Sequence, residues 1–110
     1  MRILVTPTFD RAVKKLHRRQ KAELDEAVKA VVGDTEIGEA KVGDLIGIRV
    51  YKFHMANQLC LIAYRVIDES KGRHFVMFRV GHTQEGDVID VLRILHDSMD
   101  LQSAGCTYSV

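Results

Sequence analysis

The chain has 110 residues, enough for one domain and too few for two. Apolar residues make up 46%, so a core can be buried, while a formal net charge of +1 argues against a protein that coats nucleic acid over its whole surface. No run approaches the roughly 18 apolar residues of a membrane span, and MRILVTPTFD lacks the apolar stretch of a secretory signal.

Arg2–Thr6 (RILVT) reads as a short first strand. Pro7 ends it and suits the first turn of a helix, with Thr6 or Thr8 as N-cap. Phe9, Val13 and Leu16 recur at helical spacing, with Ala12 beside them. The other side of this helix is basic. Residues 17–20 read as a turn or bend. From Lys21, the positions Leu24, Ala27, Val28, Val31 and Val32 form an amphipathic helix that Gly33 stops as a C′ glycine. The two helices make a hairpin whose apolar stripe must cover a sheet. Residues 34–44 read as a loop anchored by Ile37.

Three strand-like runs follow, Ile48–His54, Leu59–Ile67 and His74–Val80, separated by breaks at 56–58 and 68–73. Such runs with short turns form an antiparallel meander, and its exposed face is the place to look for function. Alternation sets Ile48, Val50, Lys52 and His54 on one face of the first strand. The second strand is apolar on both faces until Arg65, which makes it central. On the third, Phe75, Met77 and Arg79 alternate with His74, Val76, Phe78 and Val80. Residues 86–96 fit a helix and a fourth strand equally well. The fold class is α+β: an N-terminal strand, a helical hairpin, then an antiparallel meander of three or four strands packed on the helices. One domain covers 1–101, and 102–110 form a loose, flexible tail. Phe9, Leu16, Leu24, Val28 and Val31 from the helices, and Val50, Leu61, Ala63, Val76 and Phe78 from the strands, are expected in the core.

No nucleotide motif occurs, and the five histidines never show metal-ligand spacing, so no cofactor and no metal are expected. There is no GxSxG elbow. Cys60 in an apolar strand and Cys106 in a polar segment suit free thiols in a reducing compartment, hence the cytoplasm. What remains is a set of cationic side chains on the meander: Lys52, His54, Arg65, Arg79 and His82. Cleaving RNA without metal needs such groups. A base takes the 2′-hydroxyl proton, a cation stabilises the pentavalent phosphate, and an acid protonates the leaving oxygen. The same residues also suit a merely solvated sheet face. Lys14, Lys15, Arg18, Arg19 and Arg49 are further candidates for contact with nucleic acid, since a local basic face attracts phosphate even when the total charge is near zero.

Three stretches resemble the RelE/ParE superfamily of toxins from bacterial type II toxin–antitoxin systems. VTPTFDRAVKKL is similar to the family's first strand and helix. GEAKVGDLIGIRVYKFHMANQLCLIAYRVID is similar to its central block, and FVMFRVGH to its third strand. The likeness spans about residues 1–100. It implies a cytoplasmic toxin neutralised by a cognate antitoxin. It also implies one of two activities: ribosome-dependent cleavage of mRNA, as in RelE-like members, or inhibition of DNA gyrase without nuclease action, as in ParE-like members. Matched position by position, Lys52 and His54 fall on basic strand positions that RelE-like toxins use at the active site, and Arg65 follows the second-strand Tyr64. The chain departs from that pattern at Leu61, where an arginine is usual, and after the third strand, where only His82 answers a His-Glu-Asn run. The segment VLRILHDSMD is similar to the closing strand of ParE-like toxins instead. An inactive relative that keeps only its antitoxin-binding surface is the third possibility. The sequence leaves the oligomeric state open.

Overall fold

The computed structural model describes residues 2–41, 47–70, 72–82 and 106–108. In chain order these form β1 (Arg2–Val5), α1 (Pro7–Lys14), α2 (Arg18–Gly33), β2 (Glu39–Ala40), β3 (Arg49–Met55), β4 (Gln58–Glu69), β5 (Gly72–His82) and β6 (Cys106–Thr107). The strands make one sheet in the order β2-β3-β4-β5-β1-β6. The antiparallel meander is β3-β4-β5, and β1 joins it parallel to β5, so the sheet is mixed. The expected α+β arrangement holds, with β4 at the centre of the meander as its two-sided apolar pattern requires. The segment 86–96, which fits helix and strand alike by sequence, lies outside the described residues.

The β1–α1 junction rests on Thr6. Its Oγ1 accepts from the Phe9 amide at 3.2 Å, the N-cap bond, and its hydroxyl donates to the buried Phe78 carbonyl at 2.8 Å. Pro7 then fills the first helical turn, where a missing amide donor costs nothing. One side chain thereby starts a helix and ties it to β5.

Helix α2 begins earlier than its apolar spacing suggests. His17 is the N-cap, and Gln20 at the third helical position accepts from the His17 amide at 3.0 Å. Residues 18–20 are thus helical, not a bend. At the other end Gly33 is still in the helix and is not a left-handed cap. Asp34 terminates it in extended backbone (φ −143°), and its Oδ1 accepts from the Glu36 amide at 3.2 Å. Ile37, expected as an anchor, is 40% exposed. Tyr64 anchors the loop instead. Its hydroxyl donates to the Thr35 carbonyl at 2.9 Å and accepts from the Gly38 amide at 3.1 Å. Burial raises the Tyr64 phenol pKa, against the lowering pull of the Gly38 bond and of Arg49. The approach is so close that a Cβ on Gly38 would lie 2.7 Å from the Tyr64 oxygen.

Both faces of the sheet are buried at their centres. Against the helices pack Phe53, Ile62, Tyr64, Phe75 and Met77, with Phe9, Leu24, Val28 and Val31 from α1 and α2. On the far face Ile48, Val50, Leu61, Ala63, Val76 and Phe78 form a second buried cluster. Every residue expected in the core is buried except Leu16, which is half-buried. The far face is therefore not the open, solvated surface that a meander alone would leave.

The β3–β4 turn has two residues, Ala56 and Asn57, both at positive φ (53° and 62°), the geometry that suits a twisted hairpin. Gln58 belongs to β4 and pairs with Met55. The last described segment is not loose. β6 pairs antiparallel with β1, and the Tyr108 amide donates to the Ile3 carbonyl at 2.8 Å. Tyr108 sets its ring edge-on to Phe9, with centroids 5.8 Å apart, under the Lys21 ammonium at 4.4 Å. Its hydroxyl donates to Asp25, which Lys21 also pairs at 2.6 Å.

Candidate functional site

Register decides which cations share a face. Val50 pairs with Ala63 and Ala63 with Arg79, while Lys52 pairs with Leu61 and Leu61 with Gly81. Directly opposed residues point to the same side of a sheet. Ala63 and Leu61 belong to the far-face cluster, so Lys52 and Arg79 project from that face too. Strict alternation along β5 would have put Arg79 with Phe75 and Met77, on the helix side. A register shift between Ala63 and Tyr64 prevents this. Phe78 and Arg79 consequently face the same way, and Val80 turns in toward the helices.

His54 lies two residues beyond Lys52 on the same face and pairs with Leu59. Arg65 lies two residues beyond Ala63, again on that face, and pairs with Val76. Its guanidinium lies over the backbone of Gly47, whose Cβ position is 3.5 Å from Nε. Gly47 sits at φ +89°, where a side chain would be strained. Lys52 and His54 are exposed, and Arg65 and Arg79 are half-buried. Lys52 and Arg79 stand two strands apart and two residues out of step, which sets their Cα atoms about 12 Å apart from standard strand spacings. Long cationic side chains can reach across that span to one ligand. The four cations thus surround an apolar patch.

His82 does not join them. It pairs in register with Cys60, whose side chain packs on the helix side, and His82 Nδ1 lies 3.4 Å from Cys60 Sγ. Burial pushes the Cys60 thiol pKa up, a Met55 backbone hydrogen bond lowers it, and Glu23 raises it further. A thiol held neutral in this way is a poor nucleophile. Arg49 is also elsewhere. It pairs with Tyr64 and donates from Nη1 to the Gly38 carbonyl at 2.8 Å and the Glu36 carbonyl at 3.4 Å, clamping the loop after α2. Of the other basic candidates, Lys14 and Lys15 sit exposed at the end of α1, and Arg18 and Arg19 on the first turn of α2. Lys14 pairs with Asp10 at 2.9 Å.

Among the described residues no group of three His, Cys, Asp or Glu side chains is placed to hold a metal ion. One feature the strand pattern did not reveal is a cleft of about 410 Å³ between α1 and the end of β5, lined by Arg11, Lys15 and Leu16 together with Met55, Arg79 and His82. Arg11 and Lys15 are visible in the sequence as part of a basic run, but nothing there says they meet β5.

Residues 3–85 match the family model of the ParE-like toxin of type II bacterial toxin–antitoxin systems. The chain belongs to this family. No curated protein matches it. As a type II toxin, the ParE-like protein has a cognate antitoxin as partner. The matched span takes in both helices, the whole meander and all four far-face cations. Among the described residues of the toxin, no helix is long and apolar enough to cross a membrane.

Proposed function

We propose that this ParE-like toxin acts in the cytoplasm as a metal-independent, ribosome-dependent mRNA endonuclease that arrests translation and growth. The observation that carries the reading is the placement of Lys52, His54, Arg65 and Arg79 on one sheet face, around an apolar patch. On this reading Lys52 and the two arginines hold the scissile phosphate and stabilise the charge that builds on its pentavalent form. Arginine adds a planar fork that matches two phosphate oxygens. His54 takes the proton of the 2′-hydroxyl, whose oxygen attacks phosphorus. The P–O5′ bond breaks, a proton passes to the departing oxygen, and a 2′,3′-cyclic phosphate and a 5′-hydroxyl result. His82, on the other side of the strand, takes no part. Primer extension on translated mRNA tests the reading. Cuts that depend on the ribosome are expected, and growth arrest without any cut would reject it.

The segment VLRILHDSMD favours a second reading. In the resemblance drawn above, ParE-like members inhibit DNA gyrase, and this segment is similar to their closing strand. A supercoiling assay with purified gyrase decides this. Unchanged supercoiling at excess toxin would reject it, and normal growth on expression without antitoxin would favour an inactive relative over both.

A further inference from the structure

Strand β3 carries two aromatic rings on its helix side. Tyr51 pairs with Ile62 and Phe53 with Cys60, and all four belong to the core that the helices cover. The two rings lie parallel within 7°, with centroids 6.3 Å apart. β2 pairs with β3 only at Arg49 and Val50, so among the described residues no strand flanks β3 from Tyr51 onward. At this open border lies a hollow of about 280 Å³, lined by Glu23, Glu26 and Ala27 from α2 and by Tyr51 and Phe53 from β3. His54 also borders it, but its side chain belongs to the far face and adds nothing to this chemistry. A second hollow of about 660 Å³ adjoins it at the β3–β4 turn and shares Glu23 and Glu26.

The two glutamates are lightly engaged. Glu23 accepts from the Ala56 amide at 3.3 Å, which holds its carboxylate beside the turn, and Glu26 pairs with the exposed Lys29 at 3.4 Å. A carboxylate by itself draws any cation. A ring face also draws a cation, through its quadrupole, and packs well on hydrocarbon besides. Side by side, the two kinds of group suit an organic cation, with an ammonium or guanidinium head for the carboxylates and an alkyl stem for the rings. Arg19 lines the outer hollow and repels such a head, which leaves the inner, aromatic hollow as the place of binding.

We propose that the hollow between α2 and β3 binds an organic cation, with its ammonium or guanidinium head on Glu23 and Glu26 and its alkyl stem on Tyr51 and Phe53. The site lies on the helix side of the sheet, opposite Lys52 and Arg79, and stands whether or not the far face cuts RNA.

The test is isothermal titration calorimetry on the full chain with three probes at equal ionic strength: spermidine, a short Gly/Arg peptide and magnesium chloride. Wild type should bind spermidine or the peptide with a Kd below about 1 mM, and magnesium at least about tenfold more weakly. Tighter binding of spermidine identifies a free polyamine as the source of the cation, and tighter binding of the peptide identifies a protein side chain. Glu23→Gln/Glu26→Gln should weaken binding of the organic cation by at least about tenfold. Tyr51→Leu keeps the apolar area without the ring face and should weaken it about threefold, whereas Tyr51→Phe should retain it. Lys29→Ala removes a competing cation and should tighten binding about twofold, a gain that misfolding cannot produce. The proposal is overturned if neither organic cation binds, if magnesium binds as well as they do, if the glutamine double variant or Tyr51→Leu binds like wild type, or if Lys29→Ala fails to tighten binding.

Discussion

The two faces of the sheet are equally dry at their centres and differ at their margins. On the helix side Phe9, Leu24, Val28, Phe75 and Met77 close a core at whose edge the buried, polar Thr6 is doubly hydrogen-bonded. On the far side a smaller apolar cluster is ringed by Lys52, His54, Arg65 and Arg79. Burial therefore does not distinguish the two faces in this fold. The kind of side chain at the rim does. An apolar centre also helps a cationic rim, because charges beside a low-dielectric surface act more strongly on a phosphate than charges in open water.

Substitution should break that contrast in graded steps. The largest effect on the helix side is expected from Leu24→Ala, which empties a fully buried site and should cost about 2–5 kcal/mol by urea denaturation. On the far side Lys52→Ala should lower mRNA cleavage by about 10²-fold and leave the urea midpoint nearly unchanged, since Lys52 is exposed. Equal loss of stability in both variants would erase the distinction between the faces. Thr6→Val is next. It removes the N-cap acceptor and strands the buried Phe78 carbonyl, so a loss of about 1–3 kcal/mol is expected in the same assay.

Alkali sharpens the comparison through the tyrosines. Burial and then the Asp25 hydrogen bond raise the Tyr108 pKa far above its ordinary 10.0, and burial also raises Tyr64. A raised pKa means the folded state favours the neutral phenol. That stability is fully present below pH 10.0 and is lost as pH climbs from there toward the folded value. Melting temperature should thus fall above about pH 10, and Tyr108→Phe should flatten the fall. The smallest effect is a gain. Ala56 sits at φ +53°, so Ala56→Gly should relieve about 1 kcal/mol of backbone strain, seen as a higher melting temperature.

Periodicity made the order strand, two helices, meander legible, because each element repeats its pattern over several residues. It also placed Lys52 with His54, two apart on an unbroken strand. It misplaced Arg79, because a bulge is a property of two strands in register and leaves no mark in one strand's alternation. The start of α2 was hidden by a cap that uses His17 with Gln20 in place of the usual serine or threonine. Its end was misread because an Asp34 side chain, and not a glycine, turns the chain. The roles of Arg49, Tyr64 and Tyr108 rest on partners at least 11 residues away, at Gly38, Gly38 and Asp25 respectively, and local sequence cannot encode such distances.

The pairing of β6 with β1 brings a late stretch of the chain beside the first, with Tyr108 locked against Phe9, Lys21 and Asp25. Opening that pairing would leave β1 a free hydrogen-bonding edge, the kind of surface on which other strands assemble. A single two-residue strand thus separates a sealed sheet border from one open to foreign strands, and the Tyr108 contacts with Phe9, Lys21 and Asp25 tie it to the helices.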